Sequence, residues 1–157
     1  MTGPLYDIVM AVHALAAVVG FGALGSSGAY AAAARRAEDP YSRATLTRYF
    51  RPGPNWAARA ILLVPLLGGV LLALNHGRDV GAAWPWIGLA IWVTATGIAS
   101  AGIWPAEREI QLRLASPDRG ARERAALAAA AGRAERAAAA TSLLFVAALV
   151  VMIWQPV

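Results

Sequence analysis

Apolar residues along this chain fall into four long blocks separated by polar segments. The first, Leu5–Ala34, reads LYDIVMAVHALAAVVGFGALGSSGAYAAAA, and its only ionisable side chains are Asp7, His13 and two tyrosines. An α-helix rises about 1.5 Å per residue, so this run is long enough to cross a hydrocarbon core of about 30 Å. The pattern predicts a membrane span over about 7–30, entered through Gly3-Pro4 with Asp7 in the first turn, where the helix dipole favours an anion. Three further spans are expected at about 56–75, 86–104 and 137–154. Asn55 can cap the second. Pro65 interrupts its backbone bonding and can kink it, and Asn75-His76-Gly77 stops it. Trp84-Pro85-Trp86 opens the third at headgroup level, and Pro105 marks its exit.

The intervening segments differ in length and charge. Ala37–Asn55 is polar and arginine-rich. Asp39-Pro40 can start a short helix holding Tyr41, Leu46, Tyr49 and Phe50, lying in the interface with its arginines toward the headgroups. In Ala106–Arg136, Glu107–Leu114 reads as helical and 116–120 as a break. From Arg122 an alanine-rich helix is expected to run without interruption into the fourth span. The expected fold is all-α: a four-helix transmembrane bundle, up-down-up-down. A short interfacial helix in loop 1 and a cytoplasmic helical extension of span 4 complete a single four-span domain over residues 1–157.

Composition agrees with a membrane class. Hydrophobic residues make up 59% of the 157, and the mean hydropathy is +0.52, too apolar for an ordinary soluble domain. Cysteine is absent, which excludes disulfides, thiolate metal sites and cysteine nucleophiles. All fourteen cations are arginine, which together with the alanine content reads as the coding bias of a GC-rich bacterial genome. Met1–Tyr6 carries no positive charge and the apolar run is too long for a signal-peptide core, so a retained span is expected.

Charge then orients the map. Thirteen of the fourteen arginines lie in the first and third loops and the helix ends that flank them. Excess arginine in short loops marks the cytoplasmic side, so both termini face out, in the bacterial cytoplasmic (inner) membrane. The net charge of +5 follows from this orientation and implies attraction to anionic lipid headgroups. No nucleic-acid motif accompanies it.

Candidate chemistry is sparse. Gly20, Gly22, Gly25 and Gly28, and the spacing Gly25/Ala29/Ala33, let helices approach closely, either within the bundle or in a dimer. His13 follows Met10 by three residues, so the two share a helix face. Imidazole with thioether suits copper(I), making Met10 and His13 the candidate metal ligands; imidazole alone suits haem iron, making His13 and His76 the candidate cofactor ligands. His76 lies at the outer end of the second span, so it also reads as an ordinary interfacial residue. The alternative for His13 is a buried histidine bonded to a hydroxyl or carbonyl. Asp7, His76, Arg78 and Asp79 fall near the outer face as a small polar mouth or as solvated charges. Thr94, Thr96 and Ser100 are mild polar groups in the third span. No Ser-His-Asp set or pair of deep carboxylates supports hydrolase chemistry.

Three features carry a resemblance: His13 followed by a glycine-rich stretch through Gly22, the exit through Pro105 into Glu107-Arg-Glu-Ile-Gln-Leu, and the ending Val151-Met-Ile-Trp-Gln-Pro156. Together the pattern resembles a bacterial family of predicted four-helix integral membrane proteins of unknown function, whose members often end in Met-x-x-Lys-Pro; Gln155 stands at the lysine position here. The first span is also distantly similar to the copper-resistance D domain and to the four-helix protoporphyrinogen oxidase that holds haem b. The latter resemblance implies His13 as an axial ligand. That family relies on a membrane lysine, and this chain has none.

The leading expectation is a small non-enzymatic membrane bundle that self-associates or serves as a partner subunit, without a cofactor. A haem- or copper-binding redox or metal-handling protein using His13 is the alternative, and a small solute or ion channel the third.

Overall fold

The computed structural model describes residues 3–36, 40–116 and 120–155. They form five helices: α1 (Pro4–Ala34), α2 (Pro40–Tyr49), α3 (Trp56–Leu74), α4 (Ala83–Ala115) and α5 (Ala121–Trp154). There is no strand among the described residues. All but α2 are long and apolar enough to cross a membrane. The fold is an all-helical membrane bundle, as the hydropathy pattern predicts. Asp39, the start expected for the loop helix, the break at 117–119 and the terminal Pro156-Val157 lie outside the described residues.

Helix ends follow the residues that favour them. Pro4 opens α1 with Asp7 in its first turn. The Asn55 side chain accepts the Ala58 N–H at 3.2 Å, capping α3. At the other end of α3, His76 N–H donates to Ala73 and Gly77 N–H to Leu72, a Schellman closure. His76 and Gly77 both sit at positive φ, 54° and 69°. His76 therefore occupies the left-handed position that glycine usually fills.

Two prolines inside helices are absorbed without a break. In α3, Pro65 lacks the N–H that would serve the Ile61 carbonyl four residues back. The helix tightens to 3-10 geometry over Ala60–Leu62, and the Trp92 indole of α4 donates to that carbonyl at 2.7 Å. In α4, Ala99–Ile103 widens into a π-turn just before Pro105, with Trp104 N–H bonding to the Ala99 carbonyl. The extra residue in the turn makes room for the ring. The span expected to end at Trp104 thus continues as one helix to Ala115.

The chain divides into two compact units: Met1–Ala23 with Asn55–Thr96 and Ser142–Val157, and Leu24–Pro54 with Gly97–Thr141. In the first unit the four long helices pair in a ring. An added Cβ on Gly20 of α1 would lie 2.5 Å from the backbone nitrogen of Ile61, so α1 and α3 touch backbone to backbone. Trp92 ties α3 to α4, Gly88 of α4 receives the Met152 methyl of α5, and Phe145 of α5 stacks on Phe21 of α1 at 4.8 Å.

The second unit has a conventional core. Ala31, Ala34, Leu46, Phe50, Ala106, Ile110, Ala130, Ala131 and Ala134 are buried together, with Tyr49, Leu114 and Leu127 packed against them. Gly28 of α1 seats against Ala138 of α5, and Gly102 of α4 against Ala137. These small residues bring the helices close enough for the alanine-rich faces to mesh.

Candidate functional site

In the first unit the histidine of α1 packs against α3. The ring of His13 lies over Gly68, whose added Cβ would sit 3.5 Å from the imidazole Cε1. The imidazole has a backbone partner in Val64, while its Nδ1 is buried with no hydrogen bond among the described residues. A backbone partner is one of the two fates expected for an intramembrane histidine. Glycine at position 68 leaves the space that the ring fills. Met10, one turn earlier on α1, is 38% exposed, and His76 is exposed in the α3 closure. Among the described residues no three of the metal-binding types His, Cys, Asp and Glu come together as a ligand set. At this point in the unit the donor that could face a haem iron or copper is the His13 Nδ1, with Met10 one turn away; His76 stands apart in the α3 closure.

The polar groups at the end of the second span gather around one side chain. Asn75, buried at the end of α3, is the hub: its Oδ1 accepts from Arg78 Nε and Nη2 at 3.0 and 2.7 Å, and its amide donates to Asp79. Arg78 and Asp79 thus meet through Asn75, and Asp7 stands exposed in the first turn of α1. Thr94 spends its hydroxyl on the Ala90 carbonyl of its own helix, at 2.9 Å. The Thr96 hydroxyl is buried without a hydrogen bond among the described residues.

The second unit holds a site that sequence reasoning missed. Glu107, only 6% exposed, accepts a hydrogen bond from Ser27 of α1. Ser27 is itself fully buried and lies 3.2 Å from the Tyr49 hydroxyl of α2. Tyr49 stacks on Tyr30 with ring centroids 3.8 Å apart and meets Phe50 edge-on. This carboxylate joins α1 and α4 and reaches α2 through one hydroxyl. The sequence places Glu107 at the start of a helical stretch in the polar loop after Pro105, with nothing to single it out. The clue was the spacing of Ala99, Ile103, Ala106 and Ile110, which runs across the proline as one helical face with Glu107 inside it.

Ion pairs surround that core. Arg113 bonds Glu123 at 2.8 Å and lies 3.5 Å from Glu109; Arg133 also bonds Glu109; Arg35 bonds Glu135 at 2.6 Å. Glu123 and Glu109 hold the Arg113 guanidinium above its already high pKa, so it carries a full charge at any working pH.

The small residues of α1 divide by face. Ser27 and Gly28 are buried, whereas Ser26, Ala29 and Ala33 are exposed and Gly25 is half-buried. Spacings of three and four put Ser26, Ala29 and Ala33 on one outward side of the helix.

The family model of predicted integral membrane proteins known as DUF2269 matches residues 7–157. The chain belongs to this family. As a DUF2269 protein it is an integral membrane protein that crosses the bilayer more than once, with a role that the family leaves open. Neither curated proteins nor solved structures give a match.

Proposed function

We propose that this DUF2269 protein is a non-enzymatic membrane bundle that works by self-association through the outward face of α1. The observation that supports this is the division of its small residues. Gly28 is used against Ala138 inside the unit, while Ser26, Ala29 and Ala33 are left on the outside. Lipid tails are as apolar as leucine, so helices in a bilayer gain by close approach where side chains are small. A second copy presenting the same face would supply that approach. The arginine-rich segments face the cytoplasm and both termini face out. The test is the mass of the purified particle in several mild detergents. A dimer or larger assembly is expected; a strictly monomeric particle in all of them contradicts the proposal.

A second reading rests on His13, whose Nδ1 is buried with no hydrogen bond among the described residues. That nitrogen would hold haem iron or copper(I), and the group would supply electron transfer at that point. Protein purified from haem-supplemented cells is examined by oxidised and reduced visible spectra and by copper and iron assay. A Soret band or stoichiometric copper that disappears in His13→Ala favours this reading. A colourless, metal-free sample rejects it.

A further inference from the structure

In the first unit α3 carries two adjacent glycines, Gly68 and Gly69, one turn after Pro65. Consecutive helical residues point about 100° apart, so the pair leaves gaps on neighbouring faces. Gly69 is exposed, and nothing lies within 4 Å of the place its Cβ would take. Leu66 and Val70 beside it are exposed as well, as lipid-facing residues of a span are. Gly68 faces α1. Adjacent residues and its own helix backbone aside, only the His13 Cε1 and Nδ1 stand within 4 Å of its Cβ position, at 3.5 and 3.9 Å. The two glycines therefore make a notch in α3, open on the lipid side at Gly69 and bounded by the imidazole at Gly68.

The bonding of the ring fixes what it presents there. Its backbone partner is Val64, whose carbonyl can only accept, so the nitrogen facing it carries the ring proton. Nδ1 makes no hydrogen bond among the described residues, so the nitrogen facing Val64 is Nε2. In the neutral imidazole Nδ1 is then an acceptor with a lone pair and no proton to give. A buried acceptor without a donor is costly, and a ligand that brings the donor recovers that cost.

We infer that the Gly68–Gly69 notch binds an uncharged, membrane-soluble phenol, the class to which reduced quinones belong, with its O–H donated to His13 Nδ1. Three conditions select this occupant. It must be apolar and uncharged, because the site lies within a span. It must be thin enough to lie against the backbone that the glycines leave bare. It must bring one donor, and a phenolic O–H is a stronger donor than an aliphatic hydroxyl. The inference does not depend on self-association, since the notch and the Ser26, Ala29 and Ala33 face are separate surfaces. It competes with haem and copper for the same nitrogen, and the test separates them.

The test uses the full chain in mild detergent, assayed for copper and iron and titrated with three probes. Naphthol brings the O–H, its methyl ether keeps the rings and lacks the O–H, and naphthoquinone can only accept. Naphthol is expected to saturate at one per chain and to bind about tenfold more tightly than either of the others. His13→Phe keeps an aromatic ring beside Gly68 and is expected to abolish the preference for naphthol over the ether. Gly68→Ser, whose Cβ falls 3.9 Å from Nδ1, brings a hydroxyl of the chain itself to that nitrogen and is expected to weaken naphthol by about tenfold. Equal affinities for naphthol and the ether, tighter binding of naphthoquinone than of naphthol, or a preference that persists in His13→Phe would overturn the inference. So would copper or iron at one per chain that is lost in His13→Ala, since the nitrogen then belongs to the metal. A variant that fails to fold loses naphthol and ether alike, as its circular dichroism shows, and the comparison of the three probes on the unaltered chain stands without it.

Discussion

The two units draw on α1, α4 and α5 in common, while α3 belongs to the first alone and α2 to the second, and each is built under different constraints. In the first, large apolar side chains such as Leu15, Leu66 and Leu143 point outward, and the interior is thin. Contact is made where a glycine lets a backbone or a single side chain come close. In the second, Tyr30, Tyr41 and Leu112 are the only large apolar side chains left exposed among the described residues. A packed core lies beneath them, and every ion pair found among the described residues is here. In hydrocarbon the outside of a helix needs no cover, so association depends on how closely backbones approach. Where water reaches, apolar surface must be covered and charges can pair. The first unit should therefore be sensitive to added atoms, the second to removed polar groups.

The largest effect is expected at Gly20. Gly20→Ala places a methyl against the Ile61 backbone, which cannot swing away, and should destabilise the protein by about 3 kcal/mol in detergent-unfolding titrations. Gly88→Ala meets only the end of the flexible Met152 side chain and should lose less than about 1 kcal/mol. Equal losses would mean that close backbone approach is not what holds the first unit. Next comes Glu107→Leu, expected to lose about 2 kcal/mol by removing the buried carboxylate that accepts from Ser27 in the second unit. A double-mutant cycle with Ser27→Ala should show coupling between the two. Additive losses would separate the carboxylate from that hydroxyl.

Trp92→Phe sharpens the contrast by testing a polar contact in the first unit. It leaves the Ile61 carbonyl, freed by Pro65, without its indole donor and should cost about 1.5 kcal/mol. Restoring a backbone donor with Pro65→Ala should recover part of that loss; no recovery would break the link between the proline and the tryptophan. The smallest effect is expected for Arg133→Gln. Its pair with Glu109 is half-exposed, so the loss should be about 0.5 kcal/mol or less and should fade in high salt.

Much of the fold, though not its division into two units, was legible in the chain itself. Four apolar blocks place the long helices, and Asn55 and His76-Gly77 mark the ends of α3 where the structure has them. What escaped was the response of a helix to an internal proline. At Pro105 a residue pattern shows the missing donor, but only coordinates show that a π-turn absorbs it and carries α4 on to Ala115. Glu107 escaped with it, because a span expected to end at Trp104 leaves the carboxylate in the loop beyond it, away from Ser27. The close approaches were half legible: glycines were visible in α1, yet which of them face Ile61 or Ala138 depends on tertiary packing.

The absence of cysteine makes the proposal of self-association directly measurable. Single cysteines are placed at Ala29 on the outward face of α1 and, as a reference, at the exposed Leu143 of α5, and disulfides are formed by mild oxidation in native membranes. The account predicts a cross-linked dimer for Ala29→Cys and little for Leu143→Cys. No dimer from Ala29→Cys, or equal dimer from both positions, would contradict it.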